Sequence, residues 1–163
     1  MQQKKQSPDQ IATKAYRIGH DVLKWGVGKQ DEFAAAYGGL HLYKFTKNKV
    51  IVKKINLTKN SKKELYENSL LFYLGNRKHS EGILKKQINS INKSEKTTLD
   101  ALHKAKEITL KMYDALNKND LTNFSEMLNE GWETKKKFAD GITNELIEKI
   151  DTIVPKFDII FSN

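Results

Sequence analysis

The chain has 163 residues, which suits one domain of ordinary size with room for a real core. Its 29 Lys+Arg against 20 Asp+Glu leave a net charge of +9, which favours an anionic partner: a phosphorylated metabolite, a nucleotide or a nucleic acid. Many of those lysines alternate with glutamates, however, as on a solvated helix face, and the absence of cysteine excludes disulfides and thiolate metal sites.

The amino terminus, MQQKKQSPDQ, lacks the apolar core of a secretory signal. No apolar run approaches the roughly 20 residues that a membrane helix needs. The expectation is a soluble, cytoplasmic protein with no membrane partner.

Ser7-Pro8-Asp9-Gln10 reads as a helix start. Ser7 can cap, Pro8 suits the first helical position and Gln10 completes a capping box. Ile11, Ala15, Ile18 and Val22, with Ala12 and Leu23 alongside, set an apolar stripe at helical spacing, and the helix is expected to stop near Trp25-Gly26. Gly26 to Phe45, GVGKQDEFAAAYGGLHLYKF, is then a glycine-spaced loop, a short Ala-rich helix, a Gly-Gly break and an alternating strand. Gly26 and Gly28 are expected to take conformations closed to other residues and to let the backbone approach a ligand. Asp31 falls where that loop becomes helix, beside free N–H groups and the positive end of the helix dipole.

Two strands follow, 40–46 and 50–57, joined by a polar turn at 47–49. The β-branched Val50, Ile51, Val52 and Ile55 suit a pleated surface. Thr58 to Glu64 reads as a polar linker with at most one helical turn. Ser69 to Leu74 is a continuous apolar run closed by Gly75, the pattern of a strand covered on both faces. The basic loop Asn76-Arg77-Lys78-His79-Ser80 would lie at that strand's carboxyl end, where α/β proteins often bind small anions.

From Ser80 to Asn117 the pattern is one long helix, or two broken at Asn92-Lys93-Ser94. Leu99, Leu102, Ala105, Ile108, Met112 and Leu116 mark the core face of the second part. Asp120 can cap a helix carrying Phe124, Met127, Leu128, Trp132 and Lys135, with Trp132 in the core and Lys135 to Lys137 on a solvated face. A last helix follows Thr143-Asn144 and stops at Pro155, with a short strand expected at Phe157–Phe161.

The Gly26–Phe45 run resembles the segment around the catalytic aspartate of GHMP-superfamily small-molecule kinases. It is nearest to the branch that phosphorylates heptose 7-phosphates, whose members read close to G-K-Q-D-Q-Y-A-A-A-Y-G-G. Three further stretches agree in order and spacing: Glu67 to Gly75 (ENSLLFYLG), Gly82 to Gln87 (GILKKQ) and Leu128 to Asn144 (LNEGWETKKKFADGITN). The likeness covers about residues 7 to 150 and corresponds to the middle-to-late portion of such a kinase.

The resemblance implies an ATP- and Mg²⁺-dependent phosphoryl transfer to a sugar phosphate. Asp31 would be the residue that positions or deprotonates the acceptor hydroxyl, and Gly28, Lys29, Gln30 and Arg77 would contact substrate. Arg77 matches an arginine common in the family's basic loop, with Lys78 the equivalent if the alignment shifts by one. Read without the family, Asp31 is a helix-capping residue and Lys29, Gln30 and Arg77 are exposed polar side chains. His20, His41, His79 and His103 show no ligand spacing, so no metal site is expected from them.

Three stretches that mark the superfamily have no counterpart in the 163 residues: an amino-terminal P-G-R-like segment, a phosphate loop like G-L-G-S-S-S-A, and a late loop like G-G-K-x-x-G-A-G. The phosphate loop works through backbone N–H groups at a helix start and a hydroxyl near the metal. The expectation is therefore a truncated kinase, inactive alone, that needs a complementary N-terminal kinase fragment or forms a homodimer. The alternative is a non-catalytic assembly or partner-binding module derived from a kinase. Nucleic-acid binding lacks aromatic platforms among the basic clusters and any helix-turn-helix signal. The expected fold is α+β and GHMP-kinase-like, a small β-sheet with a mainly helical C-terminal part. Residues 1–60 would be a remnant of the N-terminal kinase subdomain, and 61–163 the C-terminal one.

Overall fold

A computed structural model describes residues 5–73 and 80–153, which form two compact units, Met1–Ile55 and Asn56–Asn163. The first unit carries α1 (Pro8–Arg17), a single π-helical turn (Ile18–Val22), α2 (Gln30–Tyr37) and a hairpin of β1 (His41–Phe45) and β2 (Val50–Lys54). The second carries α3 (Lys59–Glu67), α4 (Ser80–Asn92), α5 (Lys96–Asn117), α6 (Leu121–Lys135) and α7 (Glu145–Ile153). Among the described residues, the only sheet is the two-stranded antiparallel pair, with Tyr43 opposite Val52 and Phe45 opposite Val50. No helix among them is long and apolar enough to cross a membrane.

α1 starts as its sequence dictates. The Ser7 hydroxyl accepts from the Gln10 N–H, and the Gln10 side chain accepts from the Ser7 N–H, closing the capping box. The helix then widens into the π-turn, where the Leu23 N–H reaches the Ile18 carbonyl at 3.0 Å and the Trp25 N–H reaches Gly19 at 2.9 Å. Ala12 and Gly19 are buried. Ile11, Ile18, Val22 and Leu23 are exposed, so the apolar stripe read from the sequence is a face that nothing in the described residues covers.

The second unit is built on the α5–α6 helical hairpin. Ile108 is buried to 1% exposure, with Ala101, Ala115, Leu116 and Phe124 also buried. The turn between the helices uses Asn119 at φ 58°, whose side-chain oxygen accepts from the Thr58 N–H at 2.8 Å. Asp120 caps α6 by accepting from the Asn123 N–H at 3.0 Å. Lys104 on α5 meets Glu130 on α6 at 2.9 Å.

α7 closes over the end of α6 through a second cluster: Trp132, Ile142 and Ile147, with Ile83, Phe138 and Ala139 against it. Asn144 caps α7 by accepting from the Ile147 N–H at 3.0 Å. Lys136 corrects the expectation of a solvated 135–137 face. Its ammonium lies 2.6 Å from Glu133, 3.3 Å from Asp151 and 3.7 Å from Glu148, 5.3 Å from the centre of the Trp132 ring, with its side chain only 20% exposed. Desolvation pulls the Lys136 pKa down, but hydrogen bonds to Glu133 and Asp151 and the nearby negative charge outweigh it, so the net shift is upward.

Two other expectations are corrected. The linker at 58–64 is most of α3, because Thr58 caps it by accepting from the Ser61 N–H at 3.1 Å, and lysine, glutamate and leucine are good helix formers. The apolar run from Ser69 is not a strand over 69–73. Those residues are non-regular, and Leu70, Leu71, Phe72 and Tyr73 are exposed, Leu71 to 96%. A strand exists only as part of a ladder, and the described residues of this unit contain no second extended segment to pair with it. Leu74, the loop 76–79 with Arg77, and the strand expected at 157–161 lie outside the described residues.

Two measurements check this packing. A Cβ at Gly131, in mid-α6, would sit 3.8 Å from the Ile108 side chain, an ordinary contact. Gly131→Ala should therefore raise stability in urea unfolding by about 0.5–1 kcal/mol. The Asp120 carboxyl is held below its usual range first by the Asn123 side-chain amide and then by the Asn123 backbone N–H. A depressed folded-state value gives stability that is present above the unfolded value and lost as pH falls through the folded one. Asp120→Asn, which keeps a capping oxygen, should leave neutral-pH stability nearly unchanged and flatten its decline between about pH 5 and 3.

Candidate functional site

Phe33 sets the geometry of the first unit. It is 3% exposed and sits inside an aromatic cluster drawn from α2 and β1. Its ring centre lies 5.8 Å from Phe45 and 6.5 Å from Tyr43, both edge-to-face, and 6.3 Å from Tyr37. Tyr37 in turn stands 6.1 Å from Tyr43 and 5.7 Å from His41. Alternation along β1 puts His41, Tyr43 and Phe45 on one face, which is the face α2 uses. Pairs of this geometry add to the stabilisation from burial alone.

The far end of α2 is tied to α1. The Tyr37 hydroxyl donates to Asp9 at 2.9 Å. Desolvation, then that hydrogen bond and the charge of Asp9, push the Tyr37 phenol above its usual pKa. Gly38 ends α2 at φ 60°, ψ 177°, a region essentially restricted to glycine, and Gly39 follows at φ 63°. The chain can thus leave the helix and enter β1 within three residues.

Asp31 is the second residue of α2. Residues two apart on an α-helix point some 200° apart, so burying Phe33 turns Asp31 outward. The Asp31 side chain is exposed and makes no hydrogen bond or ion pair with any described residue. No side chain caps α2, so its first N–H groups have no partner of that kind. An open groove along α1 is lined by Asp9, Gln10, Thr13, Lys14 and Arg17, without Asp31.

The other expected site residues fall around that helix start. Lys29 is the residue that flanks α2 and Gln30 its first member, both exposed. The Lys29 ammonium lies 5.1 Å from the centre of the Tyr16 ring on α1. Gly28 is exposed as well, but the expectation about the loop glycines is corrected. In the first unit positive φ is found at Gly38, Gly39 and the non-glycine Lys24, not at Gly26 or Gly28, and a Cβ at Gly28 would meet nothing within 4 Å. The glycine packed closely against the loop is Gly19, where a Cβ would come within 3.3 Å of the Val27 side chain. Arg77 lies outside the described residues.

Sequence reading did not single out Tyr16 or the role of Phe33. Tyr16 is 13 positions before Lys29 and meets it only because the chain folds back after the π-turn. Among the described residues, no three His, Asp or Glu side chains converge as a metal site.

No family model matches the chain. It is similar to the D-glycero-alpha-D-manno-heptose 7-phosphate kinase of Campylobacter jejuni, with 28% identity over 142 residues, 86% of this chain and 41% of that protein. Its structure is similar to the crystal structure of a D-glycero-D-manno-heptose 1-phosphate kinase from Bacteroides thetaiotaomicron. That match has a TM-score of 0.59 and 31% identity, over 80% of this chain and 36% of the other. The chain thus resembles GHMP-type heptose phosphate kinases over about two fifths of their length, consistent with a middle-to-late portion. Its fold is α+β and GHMP-kinase-like, a small sheet with a mainly helical C-terminal part.

The Phe33 constraint has a direct test. Phe33→Ala should cost about 3–5 kcal/mol in the first unit. The ring-current-shifted signals of Tyr37 and Tyr43 should collapse with it.

Proposed function

We propose that the chain is the acceptor-side portion of a sugar phosphate kinase of the heptose type. The observation that carries this reading is Asp31: an unpaired, outward-facing carboxylate at an uncapped helix start, inside the run GKQDEFAAAYGG, in a chain similar to two heptose phosphate kinases. In phosphoryl transfer the protein's work is to aim the acceptor hydroxyl and surround the transferred group with positive charge. Asp31 would accept the hydrogen bond, and then the proton, of that hydroxyl. Lys29 and Gln30, beside it in sequence, would contact sugar hydroxyls or the substrate phosphate, with Gly28 in the loop before them and Arg77 as a fork for phosphate.

ATP is the donor and Mg²⁺ the ion that the kinase reading implies. The phosphate loop that would hold them has no counterpart in the 163 residues. Residues 1–60 would be a remnant of the N-terminal kinase subdomain and 61–163 the C-terminal one. On this reading these 163 residues are inactive without the phosphate loop.

A second reading is favoured by the exposed apolar faces. Ile11, Ile18, Val22 and Leu23 along α1, and Leu70 to Tyr73 in the second unit, are surfaces that proteins normally cover. An assembly module, as a homodimer or with a kinase fragment, would use them.

One experiment separates the two. The chain, mixed with ATP, Mg²⁺ and a heptose 7-phosphate, should give no turnover alone. Co-expression with a kinase fragment carrying the phosphate loop should restore it. In that complex Asp31→Asn should lower kcat by about 10²–10⁴-fold with little change in KM. Stable association without turnover, or turnover indifferent to Asp31→Asn, would favour the assembly module.

A further inference from the structure

Tyr16 is half-buried on the last turn of α1 and carries contacts on its ring that link the π-turn to the start of α2. The Lys29 ammonium stands 5.1 Å from its centre. The His20 ring stacks on it at 5.1 Å with 23° between planes, and His20 is itself held by Asp21, with Nδ1 2.8 Å from the carboxylate. Tyr16 and His20 are four positions apart, the spacing at which helix side chains meet, and after the π-turn the chain folds back so that Lys29 returns toward α1.

Lys29 and Asp31 are two residues apart at the helix start, a spacing at which side chains diverge, and no ion pair within 4 Å joins them. The face of a neutral ring takes the ammonium, through the attraction between a cation and the ring's quadrupole. The lysine keeps its donors, because a ring face uses no hydrogen bond.

We propose that Tyr16 is a positioning residue. Its ring fixes the Lys29 ammonium against α1 with its donors free, so that it can receive the phosphate of an anionic sugar phosphate while the Asp31 carboxylate meets a hydroxyl. The proposal rests on the acceptor-side reading of the Asp31 segment and adds to it a group that touches neither substrate nor reacting atoms. His20 and Asp21 stiffen the ring from the π-turn.

The test uses the whole chain and two readouts. Lys29 Hε protons over an aromatic face should resonate upfield in the wild type and in Tyr16→Phe, which keeps the ring, and return to the ordinary lysine position in Tyr16→Leu. Binding of sedoheptulose 7-phosphate, followed by NMR titration, should weaken about two- to five-fold in Tyr16→Leu and in Lys29→Met and stay at the wild-type value in Tyr16→Phe. A Lys29 signal that does not respond to Tyr16→Leu would overturn the proposal, as would unchanged binding in that variant or no binding by the wild type. Tyr37 and Tyr43 signals that keep their wild-type positions in Tyr16→Leu show that the loss is not one of stability in the first unit. Failure of the Asp31 reading would look different: turnover in the reconstituted kinase surviving Asp31→Asn, with the Lys29 shift intact.

Discussion

Burial of one aromatic ring governs the first unit of this molecule. Phe33 is enclosed by Tyr37, Tyr43 and Phe45, and an eight-residue helix has few other means of fixing its rotation about its own axis. With Phe33 inward, Asp31 must face outward. The rest of the first unit serves the same end: Asp9 holds Tyr37, two left-handed glycines deliver β1 beneath α2, and the π-turn of α1 brings the loop back so that Lys29 meets Tyr16. None of these contacts is strong alone. Their common effect is to fix the start of α2, with Asp31 outward and Lys29 over the Tyr16 ring.

The second unit is ordered by different physics. Its helices close around Ile108 and, separately, around Trp132, Ile142 and Ile147. Lys136 joins three carboxylates and the Trp132 ring at the junction of α6 and α7. Lys136 is the enclosed member of this set; the carboxylates keep contact with water, so each pair contributes only modestly. In both units, however, apolar side chains that the sequence marks as core stand in solvent. That agrees with a chain that matches about two fifths of the length of the kinases it resembles.

Much of the architecture was legible in the residues because it is set locally. Ser7 and Gln10 announce a capping box, Asp120 caps α6, and the Asn92–Ser94 break separates α4 from α5 with Ser94 at φ 54°. The likeness to heptose phosphate kinases was equally readable, since GKQDEFAAAYGG is a long unbroken run. Where the reading failed, the deciding partner was distant or missing. Ser69–Tyr73 has the composition of a covered strand, but composition cannot supply the neighbouring strand that a ladder requires. Thr58–Glu64 looked like a linker because its charge hid a good capping residue and strong helix formers.

The sequence by itself determined the starts of α1, α6 and α7, the break between α4 and α5, which positions are apolar at helical spacing, and the family whose catalytic segment this chain is similar to. Caps, propensities and periodicity act over three or four residues and need nothing from the rest of the fold. Only the tertiary structure decided which of those apolar faces is buried, that Asp31 faces away from the aromatic cluster, that Gly19 and not Gly28 is the glycine packed closely against the loop, and that Lys29 lies over Tyr16. Each of those outcomes depends on residues eight or more positions apart meeting in space, and a local pattern carries no information about such a meeting.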